Sequence, residues 1–271
     1  MGQILNNQFV IKVVKAVSIR KCLTNSQNQP FIIEGININT GEQGFYVLKP
    51  NIGNRMYSGA TMKELLASLM ALELDINVPE PVIVEINEDF TQLYKGKQYH
   101  SILVNSSGKN FGTRYLEGLP TWTDANYDNP LLHQAIQETF VFDTFIENAD
   151  RNRLKPNMLI GSDKIYLIDH ELAFSFVDLI LYNNPTPWVL TENDCNLAKN
   201  HLFYNFIRGK NFCCSNLLSK MVNLNPIFWE TVESYLPFEW RNDKFNIIKS
   251  LLSLRISDIK EFQNGIERLL K

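Results

Sequence analysis

Apolar residues in the first half of the chain fall into short, β-branched runs. Phe9 to Ile19 is apolar with Lys12 and Lys15 interspersed, and Phe31 to Ile38 is dense in isoleucine. Phe45 to Lys49 follows the turn-like Asn39-Thr40-Gly41, so these last two runs predict a hairpin. From Thr61 to Leu74 the rhythm changes, with Leu65, Leu66, Leu69, Met70 and Leu72 recurring at helical spacing. Val82 to Ile86, set off by Pro79 and Pro81, and Tyr99 to Val104 are read as further strands. Five strands and one helix predict an α+β unit ending near residue 110.

The second half changes character. Pro130 to Glu147 predicts a long helix, with Asp128 or Asn129 as cap and Pro130 in the first turn. A hairpin follows, Met158 to Ile160 and Ile165 to Ile168 around Gly161-Ser162-Asp163-Lys164. From about Asn193 helical patterns dominate, including Leu197 to Ile207 and Asp243 to Leu254, and no repeat or low-complexity tract appears. The expected fold class is α+β and bilobal: a sheet-rich N-lobe over residues 1–110, a mainly helical C-lobe over 111–271, and a cleft at their junction.

Composition narrows the function. With 45% apolar and 20% charged residues over 271 positions, the profile is globular and excludes a mostly disordered chain. Lys plus Arg number 26 against 29 acidic residues, which leaves no basic surplus for general nucleic-acid binding. Apolar runs fall far short of the roughly 20 residues of a membrane span. The opening MGQILNNQFV has no basic-then-apolar signal, and Asn6 stands where a myristoylation motif has Ser or Thr. A cytoplasmic protein without membrane attachment is expected. Cys22, Cys195, Cys213 and Cys214 lack CxxC spacing, and the four histidines form no zinc motif, so reduced thiols and no zinc site are expected.

The candidate chemistry lies in Glu147 to Phe174, ENADRNRLKPNMLIGSDKIYLIDHELAF. If Gly161 to Lys164 is the turn, Ile160 faces Ile165, Met158 faces Leu167, and Asn157 lies opposite Ile168, one residue from Asp169. Asp150 and Arg151 enter the same open end from the loop after the long helix. Oxygen-bearing side chains converging there suit Mg²⁺, which keeps water and substrate phosphates in its shell. Asp150 is then left to accept a proton from an attacking hydroxyl. Spacing alone favours ordinary turn and strand-end aspartates.

This stretch resembles the catalytic segment of the HipA-like kinases, within the protein-kinase and phosphoinositide-kinase superfamily. The matching pieces, in order, are Asp150-Arg151, Asn157-Met158-Leu159 and Ile168-Asp169-His170. Upstream, Phe45 to Lys49 resembles the strand carrying the phosphate-binding lysine. Glu64 to Ser68 and Val78 to Val82 resemble the following helix and strand, and Phe111 to Leu116 sits where that family joins its lobes. The resemblance covers about residues 10 to 175. It implies ATP and Mg²⁺ as cofactors and transfer of the γ-phosphoryl group to a hydroxyl, with Ser or Thr of a protein acceptor foremost. It further implies Asp150 as catalytic base, Asn157 and Asp169 as metal ligands, Lys49 on the α- and β-phosphates, and Glu64 as the partner of Lys49.

Several residues keep two readings. The small strip Ala67, Ser68 and Ala71 lets the Glu64 helix approach a sheet, yet Thr61-x-x-Glu64 is also a capping box. Arg151 is read as a tie from the loop to a nearby carboxylate, and His170 either donates near the metal or is packed. The Asp150-to-Asn157 interval of seven is longer than in most kinases and marks the HipA-like subfamily. The expected phosphate loop, Lys21 to Pro30, contains no glycine, so Thr24, Asn25 and Ser26 would have to supply donors. That loop keeps open an alternative, a non-catalytic kinase-fold module that recognises a partner protein.

Overall fold

In the computed structural model, which describes residues 2–23, 29–51, 58–178 and 184–271, the strands of the N-terminal region curl into a closed barrel. Strands β1 (Lys12–Cys22), β2 (Phe31–Asn37), β3 (Gln43–Lys49), β4 (Pro81–Ile86) and β5 (Gly108–Arg114) run around it in the order β1-β2-β3-β5-β4. β1 and β4 pair in parallel and the other neighbours are antiparallel. The two-residue period of a strand sorts its side chains. On β3, Tyr46 and Leu48 point into the barrel core with Val14, Phe31, Ile33, Val82 and Val84, while Val47 and Lys49 face outward into a cleft. Two glycines permit the tight closure. A Cβ at Gly35 would sit 2.4 Å from Val14 Cγ1, and one at Gly112 would sit 2.6 Å from Val84 Cγ2.

Helix α1 (Ser58–Glu73) crosses behind the barrel and is buried on every side from Ala60 onward. A helix apolar all round belongs in a core, and the three charged residues buried on it each have a partner. Lys63 reaches Asp178 at 2.5 Å, Glu64 pairs with Lys49, and Glu73 accepts the backbone N–H groups of Gly2, Ile4 and Leu5 at 2.9, 3.1 and 3.0 Å. Because α1 starts at Ser58, Thr61 lies inside the helix rather than capping it. Its hydroxyl donates to Asn51 Oδ1 at 2.9 Å, and Glu64 is directed away to β3. The capping-box reading of Glu64 is therefore overturned.

One strand expectation is corrected. Of the expected strand Tyr99 to Val104, His100 to Val104 is helical, as part of α3 (His100–Asn105), and with α2 (Glu88–Gln92) it plugs one end of the barrel. Phe90 and Leu103 enter the barrel core while Val104 is exposed, a one-sided burial that a β-branched composition mimics. The fifth strand is instead β5, Gly-Lys-Asn-Phe-Gly-Thr-Arg, which carries no apolar alternation and continues past residue 110 to Arg114. Backbone pairing to β3 on one side and β4 on the other holds it.

The C-terminal part is helical apart from one hairpin. Asn129 caps a short 3₁₀ turn at Pro130–Leu132, and α4 (His133–Phe145) follows. The hairpin β6 (Met158–Ile160) and β7 (Ile165–Leu167) has the expected register, Met158 opposite Leu167 and Ile160 opposite Ile165. Then come α5 (Glu192–Asn200), α6 (Tyr204–Ile207), α7 (Ser215–Lys220), α8 (Pro226–Tyr235), α9 (Asp243–Ser257) and α10 (Ile259–Leu270). Their apolar faces share one core with α1. Among the described residues no helix is long and apolar enough to cross a membrane.

Candidate active site

Lys49, the last residue of β3, stands between two carboxylates. Its ammonium bonds Glu64 Oε1 and lies 2.8 Å from Asp169 Oδ1. The second oxygen of Glu64 accepts the backbone N–H of His170 at 3.0 Å, fastening α1 to the segment after β7. Burial alone disfavours the Lys49 ammonium, but Asp169 and Glu64 overcome this and raise its pKa, so it stays charged. Burial likewise pushes Glu64 upward against the pull of Lys49. At Asp169 the burial effect is outweighed by Lys49, which holds the carboxyl below its ordinary value.

A buried arginine shapes the loop after α4. Arg151 bonds Asp143 on α4 through Nε, and its Nη1 donates to the carbonyls of Asn157 and Ile168, the latter at 3.4 Å. It therefore ties the loop and both ends of the β6–β7 hairpin to α4, as the reading of Arg151 as a structural tie required. His201 Nε2, 3.0 Å from Asp143, completes the network. Burial would raise the Asp143 carboxyl, but Arg151 and His201 pull it far below the usual carboxylate range. His170 Nε2 lies 3.2 Å from Arg151 Nη2. A guanidinium only donates, so that ring nitrogen accepts and the imidazole is neutral. Burial, with Arg151 adding to it, lowers the His170 pKa to about 3. His170 is packed in this network, with its ring edge against Phe142.

At the open end of the hairpin, Ile168 N–H donates to the Asn157 carbonyl at 3.1 Å, so Asn157 and Asp169 sit side by side. Both adopt the left-handed backbone region, with φ of 49° and 64°. Asn and Asp tolerate that region better than most residues, and such strain concentrates at functional sites. Asn157 Nδ2 lies 3.5 Å from Asp150 Oδ2, and Lys155 Nζ lies 3.2 Å from the same oxygen. Asp150, Asn157, Asp169, Lys49 and Glu64 thus form one connected group.

Lys49, Glu64, Asn157 and Asp169 border a cleft of about 690 Å³, within the range of small-molecule sites. Its apolar walls are Val47 and Phe111 from the barrel and Leu159 and Leu167 from the hairpin. Lys49, Lys155, Asn157, Asp169 and Glu171 line its polar end. Glu171 was not singled out in the sequence, yet its carboxylate, with those of Glu64 and Asp169, lies within a 4.8 Å group. The spacing Asp169-x-Glu171 was its available signal. Lys155 was missed because the loop's length hid its return to Asp150. Lys21, Cys22, Leu23 and Pro30 line the cleft rim, whereas Thr24, Asn25 and Ser26 lie outside the described residues.

Comparison with known proteins gives the family and the fold. A family model described as HipA-like kinase matches residues 16–246. Among solved structures, the fold is similar to that of the Helicobacter pylori proinflammatory kinase CtkA, with a TM-score of 0.53 and 16% identity over 97% of this chain and 100% of that one. No curated protein sequence matches the chain.

Proposed function

From the premise that the chain belongs to the HipA-like kinase family, a family of kinase-type phosphotransferases, we propose that it transfers the γ-phosphoryl group of ATP to a serine or threonine hydroxyl of a protein. The carrying observation is the connected group in which Lys49 bonds Glu64 and Asp169 while Asn157 reaches Asp150 at the same cleft. A two-lobed arrangement, with the barrel region above and the helical part below, accounts for a nucleotide-sized space between Val47 and Leu159.

In this reading the adenine lies between the apolar walls and Lys49 receives the α- and β-phosphates. Glu64 holds the Lys49 side chain at the angle that reaches them. The carboxylates of Glu64, Asp169 and Glu171 gather within 4.8 Å of one another, an oxygen set that fits a hard divalent cation. Asn157 and Asp169 would hold Mg²⁺, which supplies neutralisation of phosphate charge. The acceptor oxygen attacks the γ-phosphorus, and a new O–P bond forms. The bond to the β,γ-bridging oxygen breaks, its electron pair leaves with ADP, and the hydroxyl proton passes to Asp150. Positioning and electrostatics account for most of the rate.

The glycine-free Lys21-to-Pro30 segment favours a second reading, a kinase-fold module that binds a partner protein without transfer. One experiment separates the two. The full chain is incubated with γ-labelled ATP, Mg²⁺ and a cell lysate, beside Asp150→Asn. Label entering protein with the wild type and not with the variant supports the kinase. Mg-ATP binding without label or ADP supports the module.

A further inference from the structure

Lys63 and Glu64 are neighbours on α1, and both bond the stretch of chain that follows Asp169. Glu64 accepts the His170 N–H at 3.0 Å, and the Lys63 ammonium lies 2.5 Å from Asp178 Oδ2. The helical part holds this stretch between the two contacts. Phe174 and Phe176 are buried in the core shared with α1. The Phe174 N–H donates to the Ile146 carbonyl at 2.7 Å, and the Ser175 hydroxyl donates to Glu147 Oε2 at 3.3 Å. Asp178 ends a 3₁₀ turn, Ser175–Asp178, and its other oxygen accepts from Lys244 of α9 at 2.6 Å. Asp178 is thus a fixed point on the helical part, and α1 is fastened to it.

Stability alone does not account for a lysine here. The Lys63 side chain is 1% exposed, and burial lowers its pKa against the pull of Asp178. Well-packed apolar residues often match a buried ion pair in stability. What the pair adds is direction. Successive helical residues point about 100° apart around the axis, so bonds from both Lys63 and Glu64 fix the rotation of α1. An apolar contact at Lys63 would let the helix turn. Glu64 reaches Lys49 from one rotation of α1, and a Lys–Glu pair of this kind must be in place for phosphoryl transfer. Resting on the kinase reading, we infer that Asp178 is a positioning residue for that transfer: through Lys63 it sets the rotation of α1 at which Glu64 holds Lys49. Asp178 stands outside the cleft lining, so it acts through α1 and not on the nucleotide.

The test measures initial rates of label transfer from γ-labelled Mg-ATP to the protein of a cell lysate, using the full chain. Asp178→Asn is made in the wild type and in Glu64→Gln, with Asp178→Glu beside them, at a temperature where unfolding curves show every variant folded. Positioning through Glu64 predicts that Asp178→Asn lowers the rate about tenfold or more in the wild type and by less than about twofold in Glu64→Gln. Asp178→Glu, which keeps a carboxylate for Lys63, should restore most of the loss. An equal fall in both backgrounds, the mark of a merely structural role, overturns the inference while the kinase reading stands. So does a wild-type rate in Asp178→Asn or in Glu64→Gln. A wild type that transfers no label sinks both. If Asp178→Asn does not fold, Lys63→Met carries the same comparison, because it removes the buried charge together with its bond.

Discussion

Lys49 and Asp169 lie 120 positions apart in sequence and 2.8 Å apart in space. The ammonium and the carboxylate pair with each other, with Glu64 as a third member; in the proposed kinase reading the first would meet a nucleotide's phosphates and the second a metal. On that reading Mg-ATP would supply both an anion for Lys49 and a cation for Asp169, so nucleotide and metal should bind together rather than independently.

That interdependence gives the first prediction. Ligand at about a hundred times its Kd adds roughly 2.7 kcal/mol of stability. Thermal melting should show a larger ATP shift with Mg²⁺ than without it in the wild type, and Asp169→Asn should remove the difference. An Mg²⁺-dependent shift of full size in Asp169→Asn would take Asp169 out of the metal site.

Removing Lys49 leaves two carboxylates facing each other, one of them fully enclosed. Lys49→Met is expected to cost about 3–5 kcal/mol, the range for a buried pair deprived of one partner. Nucleotide binding should weaken as well. Glu64→Gln keeps the shape and a hydrogen bond, so it should fold better while still lowering transfer by about tenfold or more. Urea melts together with transfer rates read both effects, and equal activity in Glu64→Gln and wild type would rule out a role for the pair in catalysis.

Asp150 lies 3.5 Å from Asn157 Nδ2, apart from the Lys49 pairing, and in the proposed reading it is the base. Asp150→Asn should lower transfer by about 10²–10⁴-fold, the usual reach of a general base, while the Mg-ATP melting shift stays close to that of the wild type. Undiminished phosphorylation in this variant would remove Asp150 as base.

Arg151 illustrates where local sequence stops informing. The β6–β7 register was legible because two short apolar runs around a four-residue turn permit one pairing. Lys49 was legible through the resemblance of Phe45 to Lys49 to the family's lysine-bearing strand. Arg151 could be read as a tie because it adjoins Asp150, but which carboxylate it ties to, Asp143 on α4, is set by the fold. By contrast, β5 has no apolar alternation to announce it. Arg255, fully buried on α9, donates to the Phe145 carbonyl 110 positions away and to Glu147, a pairing set by tertiary packing alone. Glu73, which gathers the N–H groups of residues 2, 4 and 5, is similarly silent in sequence. For Arg151→Met, Asp143 loses its main counter-charge and the Asn157 carbonyl loses a donor. Stability should fall by about 3–5 kcal/mol, with activity lost in proportion to folding.

Glu147 follows α4 just ahead of the Asp150-to-Asn157 loop, in the left-handed region with φ of 48°, and it sits between Arg255 at 2.8 Å and Asp194. Burial pushes its carboxyl up from the ordinary 4.5 to about 7; Arg255 opposes the rise and Asp194 adds to it. The folded chain therefore holds a proton that the unfolded chain has already released between these values. Stability linked to Glu147 is full below about pH 4.5, declines as pH rises, and is gone above about 7, a change of at most about 3 kcal/mol. His170 acts in the opposite sense. Its ring is neutral in the fold down to about pH 3, so its contribution is present above the ordinary 6.5 and is lost as pH falls toward 3. Wild-type stability alone mixes the two. Glu147→Gln, which cannot ionise, separates them: relative to this variant, the wild type should lose stability from pH 5 to pH 7 in urea melts. A pH-independent difference between the two proteins would show that Glu147 enters the fold already charged and paired to Arg255.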